Sequence, residues 1–166
     1  MDPQAAPTYG WQRPPEQVGP APGIRFAGHG ARLMAYIVDT IVIFALLAAL
    51  FAVLGGLTIG AAATESWLLA IVGFFAWLLT LFAVSIAYFP FFWWKGGQTP
   101  GMRLFHLRVV RDRDGGPLSG GQASLRLLGY YVNAIVFYVG FAWILIDGRR
   151  RGWHDLIAQT CVIEDP

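Results

Sequence analysis

The stretch 140-GFAWILIDGRRRGWHDLIAQT-160 decides how the chain is threaded. An apolar run that ends at Ile146 gives way to Arg149, Arg150 and Arg151, then to His154 and Asp155. If the run crosses a membrane once, the three arginines lie on one side of it. If it enters and turns back, they lie on the other.

Composition makes a membrane the right frame. The chain has 166 residues, 56% hydrophobic and 13% charged, with seven Trp and twelve Phe. Soluble domains carry roughly 25% charged residues, and a soluble core of this size has no room for so much apolar surface. The lone cysteine, Cys161, has no intrachain partner, and no Cys/His cluster has metal-ligand spacing. Neither a cofactor nor a metal is expected.

Working outward, residues 31–54 and 67–94 are each long enough to span about 30 Å of hydrocarbon. The first run starts too late and is too long for a signal peptide, and it contains Asp39. Gly55 and Gly56 are expected to end the first helix. Trp67 opens the second, Trp93 and Trp94 close it as an interfacial belt, and Pro90 is placed to kink its last turn. The linker 55–66 carries Glu65 and no Lys or Arg, whereas 95–125 holds Lys95, Arg103, Arg108, Arg111 and Arg113. The positive-inside rule therefore puts the 95–124 loop in the cytoplasm, and the N-terminus as well, with Arg13, Arg25 and Arg32. Residues 1–23 contain six of the ten prolines and read as a disordered cytoplasmic tail, in which Tyr9 and Trp11 form a candidate docking motif.

In the loop, 102-MRLFHLRVV-110 alternates as a strand and Asp114-Gly115-Gly116 supplies turn chemistry, so a β-hairpin is expected, with 159-QTCVIE-164 as a third strand. A single crossing by 125–146 would put the arginines outside and separate that strand from the hairpin. The preferred reading is a region that goes in and comes back, broken near Asn133 or Gly140, with an inside C-terminus. The fold class is thus an all-α membrane protein: two full transmembrane helices, a third apolar region (a re-entrant pair of short helices, or a single crossing) and a small cytoplasmic hairpin or sheet. Residues 24–166 form the membrane domain, closing with a cytoplasmic segment over 147–166.

Arg32, Ala35, Tyr36 and Asp39 share a helix face at i, i+3, i+4 and i+7. Asp39 lies about 12 Å into the first crossing, where a carboxylate is costly unless it faces protein or water. Arg126, at the start of the third region, is a candidate partner for it, and Asp155 a candidate to hold an arginine. Asp39 is read either as a cation or proton site or as half of a helix-locking ion pair. His154-Asp155 has no GxSxG, HExxH or P-loop beside it and reads as a cap, so an enzyme is not expected. The glycines of the loop read as turn chemistry, and no nucleic-acid partner is implied.

These pieces together resemble the RDD family of small bacterial membrane proteins, named for one arginine and two aspartates. The resemblance is carried by 30-GARLMAYIVDTIV-42, 96-GGQTPGMRLFHLRVV-110, 124-SLR-126 and 149-RRRGWHDLIAQTCVI-163, over roughly residues 28–163. It implies that the family arginine is Arg32, the first aspartate Asp39 and the second Asp155, with Asp147 the weaker candidate. It implies the bacterial plasma membrane and suggests transport of an ion or small molecule, such as cation/proton exchange at Asp39. Relatives often carry a proline in the third region that this chain lacks, and the Pro-rich tail is similar to those of actinobacterial members. The competing expectation is a non-catalytic accessory or assembly subunit of a larger membrane complex. Beyond the lipid bilayer, the expected partners are a monovalent cation or proton and further subunits, its own or others.

Overall fold

The computed structural model describes residues 23–165. Residues 1–22 of the expected tail, with Tyr9 and Trp11, lie outside the described residues. Helix α1 (His29–Leu50) runs through a π-helical turn at Phe51–Gly55 into α2 (Gly56–Ala63). The expected stop at Gly55 and Gly56 is therefore corrected: the three pieces form one 35-residue span, His29–Ala63. Continuing as helix keeps each backbone group paired, which outweighs the roughly 1 kcal/mol that each glycine costs a helix. The link to the next helix shrinks to Thr64–Ser66, and α3 (Trp67–Gly96) follows as a second span of 30 residues that continues through Pro90. It ends at Gly97, whose φ of +69° makes the left-handed cap. A Cβ there would also lie 2.7 Å from the Val109 carbonyl oxygen.

The spans hardly pack on the rest of the chain: 6% of the most apolar stretch of each is buried. That is the surface expected of helices in lipid. The core sits at the ends of the helices, beside a small sheet. Ala27, Ala35, Trp93, Met102, Leu107, Val109, Ala123 and Val162 form it.

The loop after α3 departs from the expected hairpin. Thr99 caps a short helix, α4 (Pro100–Leu104), by accepting a hydrogen bond from Met102 N at 3.2 Å, with Pro100 in the first turn. The strand β1 is only Leu107–Arg111. The Asp-Gly-Gly turn forms, with Arg111 N donating to Gly116 O at 2.9 Å, but it leads into helix α5 (Gly120–Ile135), not a second strand. Pro117 has no backbone donor for a ladder, and Ser119 with Gln122 makes a capping box that starts the helix. β1 pairs instead with β2 (Thr160–Glu164), antiparallel, in the register Val109 opposite Val162. The other edge of β2 is covered by the segment leading into α1, through Ala27 N to Val162 O and Glu164 N to Arg25 O, both 2.9 Å.

The third apolar region is two helical pieces bent by 112°. α5 stops at Ile135, and α6 (Val139–Ala142) continues into a 3₁₀ turn at Trp143–Leu145. The break falls between the two expected break points: Phe137 and Tyr138 hold positive φ of 50° and 61°, uncommon for bulky residues. Asn133 O closes the turn by accepting from Tyr138 N at 2.7 Å. Gly140 is needed for packing, since a Cβ there would overlap Asn133 Oδ1 and reach the Trp153 ring at 2.7 Å. Helix α7 (Trp153–Ala158) then lies on α5 at Gly129, where a Cβ would stand 2.5 Å from His154 Cα.

This doubling back answers the question of sides. Arg149 and Arg151 bind Asp112, just past β1, at 3.1 and 2.9 Å. Arg150 donates to Ala27 O at 3.2 Å. All three arginines therefore lie on the face of the chain that carries the sheet and the 95–124 loop.

Candidate functional site

The α1 face read from the sequence supplies two separate polar centres. Arg32, one turn in, reaches down toward the sheet: its guanidinium donates to Asp155 and to Val162 O, each at 3.2 Å. Arg126, on α5, binds the same carboxylate and donates to Thr160 Oγ1 at 2.7 Å. Its guanidinium lies over the Trp93 ring, 4.8 Å from the centroid, a cation–π contact. Trp93 is thus turned inward and leaves the expected belt to Trp67 and Trp94, which are exposed. Asp155 also accepts from Gly152 N at 3.1 Å, so it caps α7 and joins two arginines in one place.

Electrostatics explain why this carboxylate stays ionised while fully buried. Burial would raise its pKa, but Arg126, then His154 and Arg32, hold it well below the usual carboxylate range. Burial also lowers the His154 pKa, against the pull of Asp155. The imidazole is therefore neutral at pH 7: Nε2 faces Asp155 at 3.3 Å, and Nδ1 accepts from Asn133 Nδ2 at 3.2 Å. Its ring packs on Tyr130 and Phe141, with centroids 4.5 and 4.9 Å away.

Asp39 is the second centre. The expected pairing with Arg126 is corrected: its two oxygens accept from Tyr88 Oη at 3.0 Å, Thr99 Oγ1 at 2.5 Å and Gly101 N at 2.8 Å. The carboxylate ties α1 and α3 to the start of α4. Gly101 is required there, because a Cβ would collide with Ala35 O and come within 2.9 Å of Asp39 itself. The hydroxyl of this centre comes from Tyr88, not Tyr36, which is half-exposed and stacks on Phe89. Asp147 stands apart, bound to Arg151 at 3.1 Å.

Thr99 was legible in Thr99-Pro100, a capping residue before a proline. Tyr88, Tyr130 and Asn133 had no local signal, since only the tertiary fold brings them to their partners.

Between the two centres lies a cavity of about 450 Å³. Arg32, Asp39, Arg126, Tyr130 and His154 contribute to its wall, and so does Tyr36. Most of the remaining lining is apolar, including Leu33, Phe89, Phe141 and Leu145. His29 Nε2 and Ile144 O, 3.1 Å apart, both belong to it. Among the described residues no group of three or more His, Cys, Asp or Glu is placed to hold a metal ion.

Two long apolar helices that end at a buried arginine–aspartate cluster define a small membrane protein. Residues 26–159 match the RDD family, and the chain belongs to it. It is 29% identical over 147 residues to the Bacillus subtilis protein YxaI, described as uncharacterised, covering 82% of this chain and 96% of that one. It is also similar to the proline-rich antigen homolog of Mycobacterium tuberculosis, 27% identical over 89 residues, and to the proline-rich antigen of Mycobacterium leprae, 27% over 88. Each alignment covers 52% of this chain, and 37% and 34% of the mycobacterial proteins respectively, so the match spans about a third of their length. No solved structure matches.

Proposed function

We propose that this chain is a small, non-catalytic transporter of the bacterial plasma membrane, with the cavity between Arg32, Arg126 and Asp39 as its binding site. The observation that carries this reading is the cavity itself: about 450 Å³, within the range of small-molecule sites, and bordered by buried ionisable residues, which are expensive to hold away from water. Asp39 serves this design as a clamp on α4, because its oxygens are already engaged by Tyr88, Thr99 and Gly101. A cation/proton antiporter using Asp39 is the narrower form of the same reading, and it draws support from Asp39 lining the cavity.

The test is flux in proteoliposomes with a trapped pH dye, adding Na⁺, K⁺ or dodecyl phosphate under a proton gradient. Protein-dependent flux that Ala142→Trp removes supports the cavity as the route, since Ala142 lines it. Cation flux lost in well-folded Asp39→Asn would assign the ion to Asp39. No flux with any of the three would sink the transporter reading.

The alternative, a subunit of a larger assembly, is favoured by the spans being almost unburied within one chain. Native mass spectrometry in mild detergent reads this directly: a heteromer supports it, a monomer or a homo-oligomer opposes it. The positive-inside rule, applied to the face bearing Arg149–Arg151 and the sheet, supports a cytoplasmic N-terminus and C-terminus. In a Cys161→Ala background, Thr64→Cys should label from outside intact cells and Arg113→Cys only after permeabilisation. The reverse pattern would invert the topology.

A further inference from the structure

The cavity wall is of two chemical kinds, and the mixture specifies a ligand. This inference rests on the reading of the cavity as the working site and names what it takes. Two guanidinium groups, Arg32 and Arg126, share one carboxylate, Asp155. Asp155 alone does not balance two arginines; the second negative charge is Asp39, which brings the four groups to formal neutrality. Asp39 lines the same cavity but directs its oxygens to Tyr88, Thr99 and Gly101.

Hydrogen-bond donors, not net charge, are in excess. The Nε atoms of Arg32 and Arg126 and Nε1 of Trp93 are buried and have no hydrogen-bond partner among the described residues. All three side chains line the cavity. Buried donors are nearly always satisfied in folded proteins, so three unpartnered ones on side chains that border one cavity make its wall donor-rich. The apolar part of the lining, Leu33, Phe89, Phe141, Ile144 and Leu145, offers nothing to a small hydrated anion. It suits a hydrocarbon chain.

We propose that the cavity binds an anionic amphiphile, with a phosphate, sulfate or carboxylate head against Arg32 and Arg126 and an apolar chain along Leu33, Phe89, Phe141 and Leu145. A single-chain anion and an anionic phospholipid of the bilayer share this chemistry.

The test is isothermal titration of the purified full chain in dodecyl maltoside with dodecyl phosphate, dodecanol and inorganic phosphate. Dodecyl phosphate should bind saturably at one site, at least tenfold tighter than dodecanol, and inorganic phosphate should give no binding. Competition with phosphatidylglycerol then separates the sources: displacement identifies a bilayer lipid, its absence a single-chain anion. Arg32→Gln should weaken binding tenfold or more, but it also removes an ion pair with Asp155. Ala142→Trp therefore serves as the second variant, since Ala142 is exposed, makes no ion pair and lines the cavity. It should abolish binding with the helical circular dichroism unchanged. Equal affinity for dodecanol and dodecyl phosphate, binding of inorganic phosphate alone, or wild-type affinity in Ala142→Trp would each overturn the proposal. Because the titration needs neither bilayer nor gradient, binding without flux would sink only the transport reading. Flux without binding would sink only this one.

Discussion

Replacing Asp155 by Asn should be far more damaging than replacing Asp39 by Asn, although both remove one buried carboxylate from the same small protein. Asp155 is 0% exposed and faces two guanidiniums, one of them on a 2% exposed Arg126. Its amide would leave two buried positive charges without a counter-charge. Breaking a buried pair from one side costs about 3–5 kcal/mol. Asp39→Asn keeps an oxygen where Tyr88 and Gly101 donate and changes only the partner of Thr99. All three bonds lose their charge assistance but the groups stay paired, so the loss there is about 1–2 kcal/mol.

The assay is equilibrium unfolding in mixed dodecyl maltoside and SDS micelles, followed by circular dichroism at pH 7. An Asp155→Asn protein within about 1 kcal/mol of wild type would refute the claim that the cluster holds the fold together. The pH dependence gives an independent check. The folded-state pKa of Asp155 is depressed: burial opposes ionisation, but Arg126, His154 and Arg32 outweigh it. Its contribution is therefore complete above the unfolded carboxylate value of about 3.9. It is lost as pH falls from there through the folded value. Wild type should lose stability below about pH 4, and Asp155→Asn should show a shallower slope there.

Three further outcomes are expected. Cys161 is buried and its thiol is pushed up to about 12 by burial, then by Asp112 and Asp155. Maleimide should therefore react with it at least a hundredfold faster in SDS than in the folded protein at pH 8, and equal rates would contradict the burial. Gly129→Ala puts a methyl group 2.5 Å from His154 Cα, and should destabilise by about 1–3 kcal/mol in the same unfolding assay. Thr99→Ala removes both a cap on α4 and a donor to Asp39. It should cost about 1–3 kcal/mol, and combined with Asp39→Asn it should cost less than the two changes summed.

Much of this protein was written in one dimension. Apolar run length fixed two spans, because backbone polar groups in lipid leave helix as the answer wherever some twenty apolar residues follow one another. Gly55 and Gly56 failed as a stop because continuing as helix keeps their backbone groups paired, and α2 then meets α3 where Thr58 faces Gly73. Helical periodicity placed Arg32 and Asp39 on one face, and the positive-inside rule applied to Arg149–Arg151 favoured a chain that doubles back over a single crossing. Pairing was beyond sequence reading. Asp39 and Arg126 carry opposite charges and border the same cavity, yet Arg126 goes to Asp155 and Asp39 to Tyr88, Thr99 and Gly101. That choice depends on where α5 and α7 meet, at Gly129 against His154, and on the bend at Phe137 and Tyr138. β1 likewise found its partner some fifty residues away, after Ser119 and Gln122 had started a helix where a hairpin's second strand was expected. Local pattern sets which segments are helical and which face water. Which charge meets which, and the cavity they border, arise only when distant segments close together.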